Sequence, residues 1–245
     1  MMLAKWDKLP LNMQNESVRK YYDILKRRRF SLLFKRLFDI AVSLVMLVLF
    51  SPFCLILAAA VKLDSPGPVF FRQVRITKYG REFKIHKFRS MVTGADRLGN
   101  LTVKGDARVT RVGRFIRKYR LDETGQLLDV LCGNMTFVGT RPEVPKFVNE
   151  YSPEMLATLL LPAGITSEAS IYYKDEAALL NGAEDSDKVY IEKILPSKME
   201  YNLSELKKAG LGHDIKLMFK TFFAVIKRDK KGKNAKKSKR IEETV

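Results

Sequence analysis

Residues 40–61 run for 22 positions without a charge, and Ser51-Pro52 interrupts the run near its middle. At 1.5 Å per residue a straight helix of that length reaches about 33 Å, enough for a hydrocarbon core of roughly 30 Å. Proline has no N–H and crowds the carbonyl four positions back, so a break or kink is expected near Ser51. Each half is then only about 15 Å long and spans nothing alone. Elsewhere the pattern is shorter-ranged. Ile215, Met218, Phe219, Phe222, Phe223 and Ile226 recur at helical spacing within residues 213–228, which predicts one apolar face. Core packing is the default for that face, and a membrane interface is the rival. Residues 111–131 carry helical patterning through Leu127, Leu128 and Leu131, and further helices are expected at 153–161 and at 188–208, kinked by Pro196. Residues 69–71 and 82–85 read as short strands joined through a turn at 78–80, after the turn cluster at 64–68. Residues 91–109 and 133–145 read as loops, and 1–29 as a peripheral segment with helical character over 16–28.

Charge changes the picture of the apolar run. Lys26, Arg27, Arg28, Arg29, Lys35 and Arg36 precede it, and Lys62, Arg72, Arg75, Lys78, Arg81, Lys84, Lys87 and Arg89 follow it. Basic flanks mark the cytoplasmic side of a membrane segment, and here both ends carry that mark. A single span places one flank outside; a helix–break–helix hairpin keeps both inside. The carbonyl freed by Pro52 needs a donor, which the Ser51 hydroxyl can supply. On the residues alone, the kinked span and the hairpin both stay open.

The chain has 245 residues and a formal charge of +18, room for one sizeable domain besides the membrane segment. The excess sits beside the apolar run and in residues 227–240, where nine basic residues accompany one acid. That distribution points to anionic lipid and not to nucleic acid; a solvated, disordered tail is the plainer reading of residues 227–245. Cys54 and Cys132 imply no disulfide framework, and His86 and His213 lack metal-ligand spacing.

Candidate chemistry centres on Asp122-Glu123, which follow Arg114, Arg117, Lys118 and Arg120. Two acids in a first helical turn commonly do no more than favour the helix dipole. The arginine density changes that reading: Arg117, Arg120 and Arg141 suit bidentate binding of a diphosphate, and a carboxylate near Mg²⁺ and phosphate is what phosphoryl transfer needs. Asp185-Ser186-Asp187 is a second acidic candidate, read more simply as an acidic surface loop over 182–187. Walker and dinucleotide-binding fingerprints are absent from the sequence.

From about residue 34 to 227 the chain resembles the bacterial monotopic phosphoglycosyl transferases. The resemblance rests on an ordered set: Lys35-Arg36-Leu37-Phe38-Asp39 before the Ser51-Pro52 run, Lys87-Phe88-Arg89-Ser90-Met91, Leu121-Asp122-Glu123, Gln126-Leu127, the stretch from Val130 through Gly139, Arg141-Pro142-Glu143, and Pro162-Ala163-Gly164-Ile165-Thr166. It implies an α/β, predominantly helical fold with a small sheet, and a re-entrant membrane hairpin broken at Ser51 and Pro52 over residues 34–62. A polar, basic extension (1–33) would precede the hairpin, a cytoplasmic catalytic domain (63–226) would follow it, and a basic tail (227–245) would close the chain. Residues 1–33 are too short for the multi-span N-terminal domain of larger members. The implied reaction moves a sugar-1-phosphate from a UDP-sugar to a polyprenyl (undecaprenyl) phosphate and releases UMP, at the cytoplasmic face of the bacterial inner membrane. Asp122 would be the nucleophile and Glu123, with Asp122, the Mg²⁺ site. Arg117 and Arg141 would bind the nucleotide sugar, with Pro142, Lys87, Arg89 and Gln126 completing the substrate set. Lys35, Arg36, Lys87 and Arg89 are candidates to steer the acceptor phosphate. Anionic inner-membrane lipids are expected partners, nucleic acid is not, and a homodimer stays open.

Three positions depart from the family pattern: Thr140 for the first proline of Pro-Arg-Pro, Asn134 for an Asp, and Ser167-Glu168-Ala169-Ser170 for Gly-Leu-Ala-Gln. Two rival readings remain: a metal-dependent membrane-associated glycosyltransferase using Asp185 and Asp187, which would release UDP, and a non-catalytic basic membrane adaptor.

Overall fold

The computed structural model describes residues 3–95, 106–173, 176–180 and 185–226. The basic tail, residues 96–105 of the expected loop and residues 181–184 of the acidic loop lie outside the described residues. Among the described residues the fold is mostly helical, with three two-stranded sheets and one long apolar helix near the N-terminus.

Helix α1 (Glu16–Arg27) starts where the Asn15 side chain accepts the Val18 N–H, and it buries Val18, Tyr21, Tyr22 and Leu25. That face, with Leu9 and Met13, packs on Leu159, Leu160 and Leu206. The expectation of a peripheral N-terminal segment is therefore corrected. Val18, Tyr21, Tyr22 and Leu25 share one stripe of α1 and, with Leu9 and Met13 before it, complete a core.

Helix α2 (Arg29–Asp64) carries Pro52 inside it. Of the expected break or kink, the break is absent: helical structure continues through Pro52. The Val48 carbonyl, which Pro52 cannot reach with an N–H, accepts the Ser51 hydroxyl at 2.8 Å. Both ends of α2 dock on the remainder of the chain. Near the start, Arg36 donates to the Val130 and Leu131 carbonyls at 2.6 and 3.0 Å, and Asp39 accepts from Thr136 at 2.7 Å. At the far end, Asp64 accepts the Val112 N–H at 2.8 Å, and Leu57 and Val61 pack on Phe88 and Ile116. Between these ends Leu44, Val45, Val48, Leu49, Leu55 and Ile56 are exposed.

The sheets correct the strand expectations. Strand β1 (Phe70–Phe71) does not pair with residues 82–85. The hairpin is β2 (Val74–Ile76) with β3 (Glu82–Lys84), turning through Tyr79 at φ 59° and Gly80 at φ 74°. β1 instead pairs antiparallel with β4 (Lys87–Phe88), Phe70 opposite Phe88. β5 (Met135–Val138), inside an expected loop, pairs in parallel with β6 (Ala163–Thr166).

The remaining helices are α3 (Arg111–Lys118), α4 (Gln126–Leu131), α5 (Pro145–Val148), α6 (Glu168–Tyr172), α7 (Glu176–Leu179), α8 (Ser186–Val189), α9 (Leu195–Lys208) and α10 (Leu211–Ile226). Residues 155–160 form a 3-10 segment. A π-helical segment, Tyr190–Ile194, precedes Pro196 at the start of α9, absorbing the missing N–H. On α10, Leu217 and Asp214 face the core, whereas Ile215, Phe219, Phe222 and Phe223 are exposed. Periodicity identified the apolar face but not what it faces.

Candidate functional site

The expected helix over 111–131 is broken just before the acid pair. α3 is capped by Thr110, whose hydroxyl accepts the Gly113 N–H, and ends at Lys118. Arg120 then adopts the left-handed conformation at φ 54°, an uncommon state for a side-chain-bearing residue that turns the chain sharply. Leu121–Gly125 follow as a 3-10 turn. Leu121 anchors that turn on Phe88 and Ile116. Successive side chains on a 3-10 turn diverge by about 120°, so Asp122 and Glu123 meet different partners.

Asp122 is buried, and Lys87 Nζ on β4 lies 2.9 Å from its Oδ2. Glu123 Oε1 accepts from Arg141 at 2.6 Å, with Arg120 at 3.6 Å. Burial alone would push the Glu123 carboxyl up. The nearby charges of Arg141, Lys87 and Arg120, and the Arg141 hydrogen bond, hold it down at about 2. The same pairing with Glu123 raises Arg141 against its burial. Asp122 and Glu123 thus lie among three cations, Lys87, Arg120 and Arg141.

Arg141 sits on a loop pinned at several points. Thr140 offers its carbonyl to the Gly164 N–H at 2.8 Å. The Pro142 carbonyl accepts from Arg75 at 3.0 Å, and the Glu143 carbonyl accepts the Ile76 N–H at 2.9 Å. Behind the loop the Glu143 carboxylate receives Tyr190 Oη at 2.5 Å and Lys198 Nζ at 3.2 Å; Lys198 also reaches Glu176 at 3.0 Å. Tyr190, Lys198 and Glu176 were not singled out in the sequence. The available signal was a lysine and a tyrosine on the inward side of helical segments whose neighbours Ile194, Leu195 and Met199 are apolar.

The structure separates the other expected residues by task. Arg89 is buried, and its guanidinium binds the carbonyls of Val61, Ser65 and Pro66 at 3.2, 2.6 and 2.7 Å. Lys35 is buried against Asp214 and the Val138 carbonyl, and Arg36 holds the end of α4. Of the four candidates to steer an acceptor phosphate, Lys87 alone is placed against the acid pair. Gln126 is buried on the next turn, and its Oε1 has no hydrogen-bond partner among the described residues. Arg117 is half-buried and helps hold Asp106 below the usual carboxylate range, after the Arg108 bonds. Asn134 takes a bond from Arg81 at 2.9 Å, and Ser167 caps α6 by accepting the Ser170 N–H. Asp185 caps α8, and Asp187 pairs with Lys146 at the surface.

Asp122 and Glu123 are the carboxylates that could offer oxygens to Mg²⁺ at this site, each paired with a cation in the structure. Two adjacent carboxylates are present, and no cluster of three or more metal-binding side chains occurs among the described residues. Mg²⁺ is commonly held by one or two carboxylates, with phosphates and waters supplying the rest.

A sequence profile described as bacterial sugar transferase matches residues 30–228. A UDP-N-acetylgalactosamine-undecaprenyl-phosphate N-acetylgalactosaminephosphotransferase from Aeromonas hydrophila is 36% identical over 196 residues, covering 78% of this chain and 43% of that protein. A UDP-glucose:undecaprenyl-phosphate glucose-1-phosphate transferase from Klebsiella pneumoniae is 38% identical over 199 residues, covering 79% and 40%. One of the same description from Caulobacter vibrioides is 33% identical over 199 residues, covering 80% and 70%. The chain thus spans about two fifths of the length of the first two.

Proposed function

The chain belongs to the bacterial sugar transferase family, and from that premise we propose that it transfers a sugar-1-phosphate from a UDP-sugar to a polyprenyl phosphate, releasing UMP. The observation that carries this reading is the pair of buried Asp122 and largely buried Glu123 among Lys87, Arg120 and Arg141. In the first step an Asp122 carboxylate oxygen bonds to the sugar-bearing phosphorus, and the bond from that phosphorus to the oxygen bridging to UMP breaks. In the second, an oxygen of the polyprenyl phosphate attacks the same phosphorus and releases Asp122. The products are UMP and a polyprenyl diphospho-sugar. Splitting one displacement into two makes each easier. Lys87 pairs with Asp122 and orients it. Arg141 and Arg120, already turned toward Glu123, face the charge that builds on the leaving phosphate. Mg²⁺ bound at Asp122 and Glu123 would supply further neutralisation of the diphosphate oxygens.

A membrane seat is part of the proposal. α2 is the one described helix long and apolar enough to cross a membrane, yet both its ends bind one body while its middle is exposed. We infer a bend within α2 at Pro52 that sends the helix into the bilayer and back, with the site at the cytoplasmic face of the inner membrane. Anionic lipids would meet the basic flanks, and the activity would open a surface-glycan pathway.

The test incubates the purified full chain with Mg²⁺ and a panel of UDP-sugars and reads intact mass. A phosphosugar adduct is expected, lost in Asp122→Asn. No adduct with any sugar, together with release of UDP in place of UMP, defeats the reading.

A further inference from the structure

Lys87 reaches Asp122 from the end of a two-residue strand, which by itself is a weak foundation for a contact between a half-buried lysine and a buried carboxylate. Its neighbour His86 is fastened at three points. The His86 N–H donates to Asp129 Oδ2 at 2.8 Å, and Nδ1 lies 2.8 Å from Asp129 Oδ1. The His86 carbonyl lies against Gly125, where an added Cβ would meet it at 2.9 Å. Asp129 is fully buried on α4, one turn beyond Gln126. On the ring's other side, Nε2 is 2.6 Å from Arg72 Nη1, and Arg72 also donates to the Lys84 carbonyl at 3.0 Å. A guanidinium only donates, so Nε2 accepts and Nδ1 carries the proton given to Asp129. Phe70 closes the ring edge-on at 6.0 Å.

We propose that Asp129, His86 and Arg72 form a clamp that fixes β4 against the Leu121–Gly125 turn and thereby sets Lys87 on Asp122. His86 is then a positioning residue: it acts through Lys87 and touches no substrate. The clamp spans the two segments that must stay in register for the ion pair to survive: it binds the backbone of one at the His86 N–H and the Lys84 carbonyl and holds the other through the Asp129 side chain. This inference rests on the reading of Asp122 as the reacting group.

The experiment measures UMP release from an accepted UDP-sugar with polyprenyl phosphate, using full-length protein in excess so that very slow variants stay measurable. His86→Ala should lower kcat by about 10- to 100-fold and leave the UDP-sugar KM within about 3-fold. His86→Asn, whose amide N–H can replace Nδ1–H toward Asp129, should recover most of the rate. In a Lys87→Ala background, His86→Ala should add little further loss, because the contact it positions is already gone. Equal losses in both backgrounds, or no loss from His86→Ala, would overturn the clamp while leaving the transferase reading intact. If the wild-type chain releases no UMP from any UDP-sugar, the transferase reading fails and the clamp's role falls with it.

Discussion

Two buried glutamates show how opposite surroundings give opposite pH behaviour. Glu123 is surrounded by cations and held at about 2. The stability it contributes is present above its ordinary value of 4.5 and is lost as pH falls toward 2. Glu205 on α9 is pushed up to about 7, first by burial, with Asp214 and Glu168 adding repulsion. The folded chain therefore binds a proton there that the unfolded chain has released, and stability declines as pH rises from about 4.5 to about 7. Its Oε2 accepts the Glu168 N–H at 2.9 Å, whereas Oε1 has no hydrogen-bond partner among the described residues. Glu205→Gln keeps an acceptor for that N–H and removes the charge. Thermal or denaturant unfolding should show the variant more stable than wild type at pH 8, by up to ~3 kcal/mol, and indistinguishable at pH 4. A variant no more stable at pH 8 would contradict the assignment.

Among the elements, the parallel pair β5 and β6 meets at a tight junction. An ideal Cβ on Gly164 would lie 2.2 Å from both N and O of Gly139, the residue that leads into the Arg141 loop. Gly164→Ala should cost about 3 kcal/mol or more, because the conflict is with backbone on both sides. Gly212 on α10 has nothing within 4 Å of its added Cβ. Gly212→Ala should be neutral or stabilising by up to ~1 kcal/mol. Unfolding midpoints of the two variants in the same detergent make the comparison. Equal midpoints would show that the β5–β6 contact is looser than described.

For the molecule as a whole, the exposed apolar surface is concentrated on α2 and on the outer face of α10. A soluble monomer rarely leaves so much exposed. The bent α2 proposed above, entering one leaflet, would cover the part of it on α2 and keep both basic flanks on one side. Phe30 and Leu63 are exposed near the two ends of α2. With Cys54 and Cys132 replaced by serine, Phe30→Cys and Leu63→Cys should both react with an impermeant maleimide in inverted vesicles, and neither in spheroplasts. Labelling of the two positions from opposite sides would establish a spanning helix.

Local pattern alone determined a good deal of this protein. The uncharged run, the proline within it and the donor for its orphaned carbonyl were legible, as were α1, the apolar stripe of α10 and the Asp122-Glu123 pair. Each depends on residues within a few positions of one another, where helical period and proline chemistry act directly. Partnership was decided by tertiary structure. Arg141 meets Glu123 across 18 residues, and Lys35 meets Asp214 across 179. β5 finds its parallel partner β6 beyond two helical segments. Of the basic residues near the acids, only packing determined that Lys87 reaches Asp122 while Arg89, two positions on, serves the end of α2. A regular strand would place residues two positions apart on one face, but β4 ends at Phe88, so what the rest of the chain packs around each side chain decides its partner.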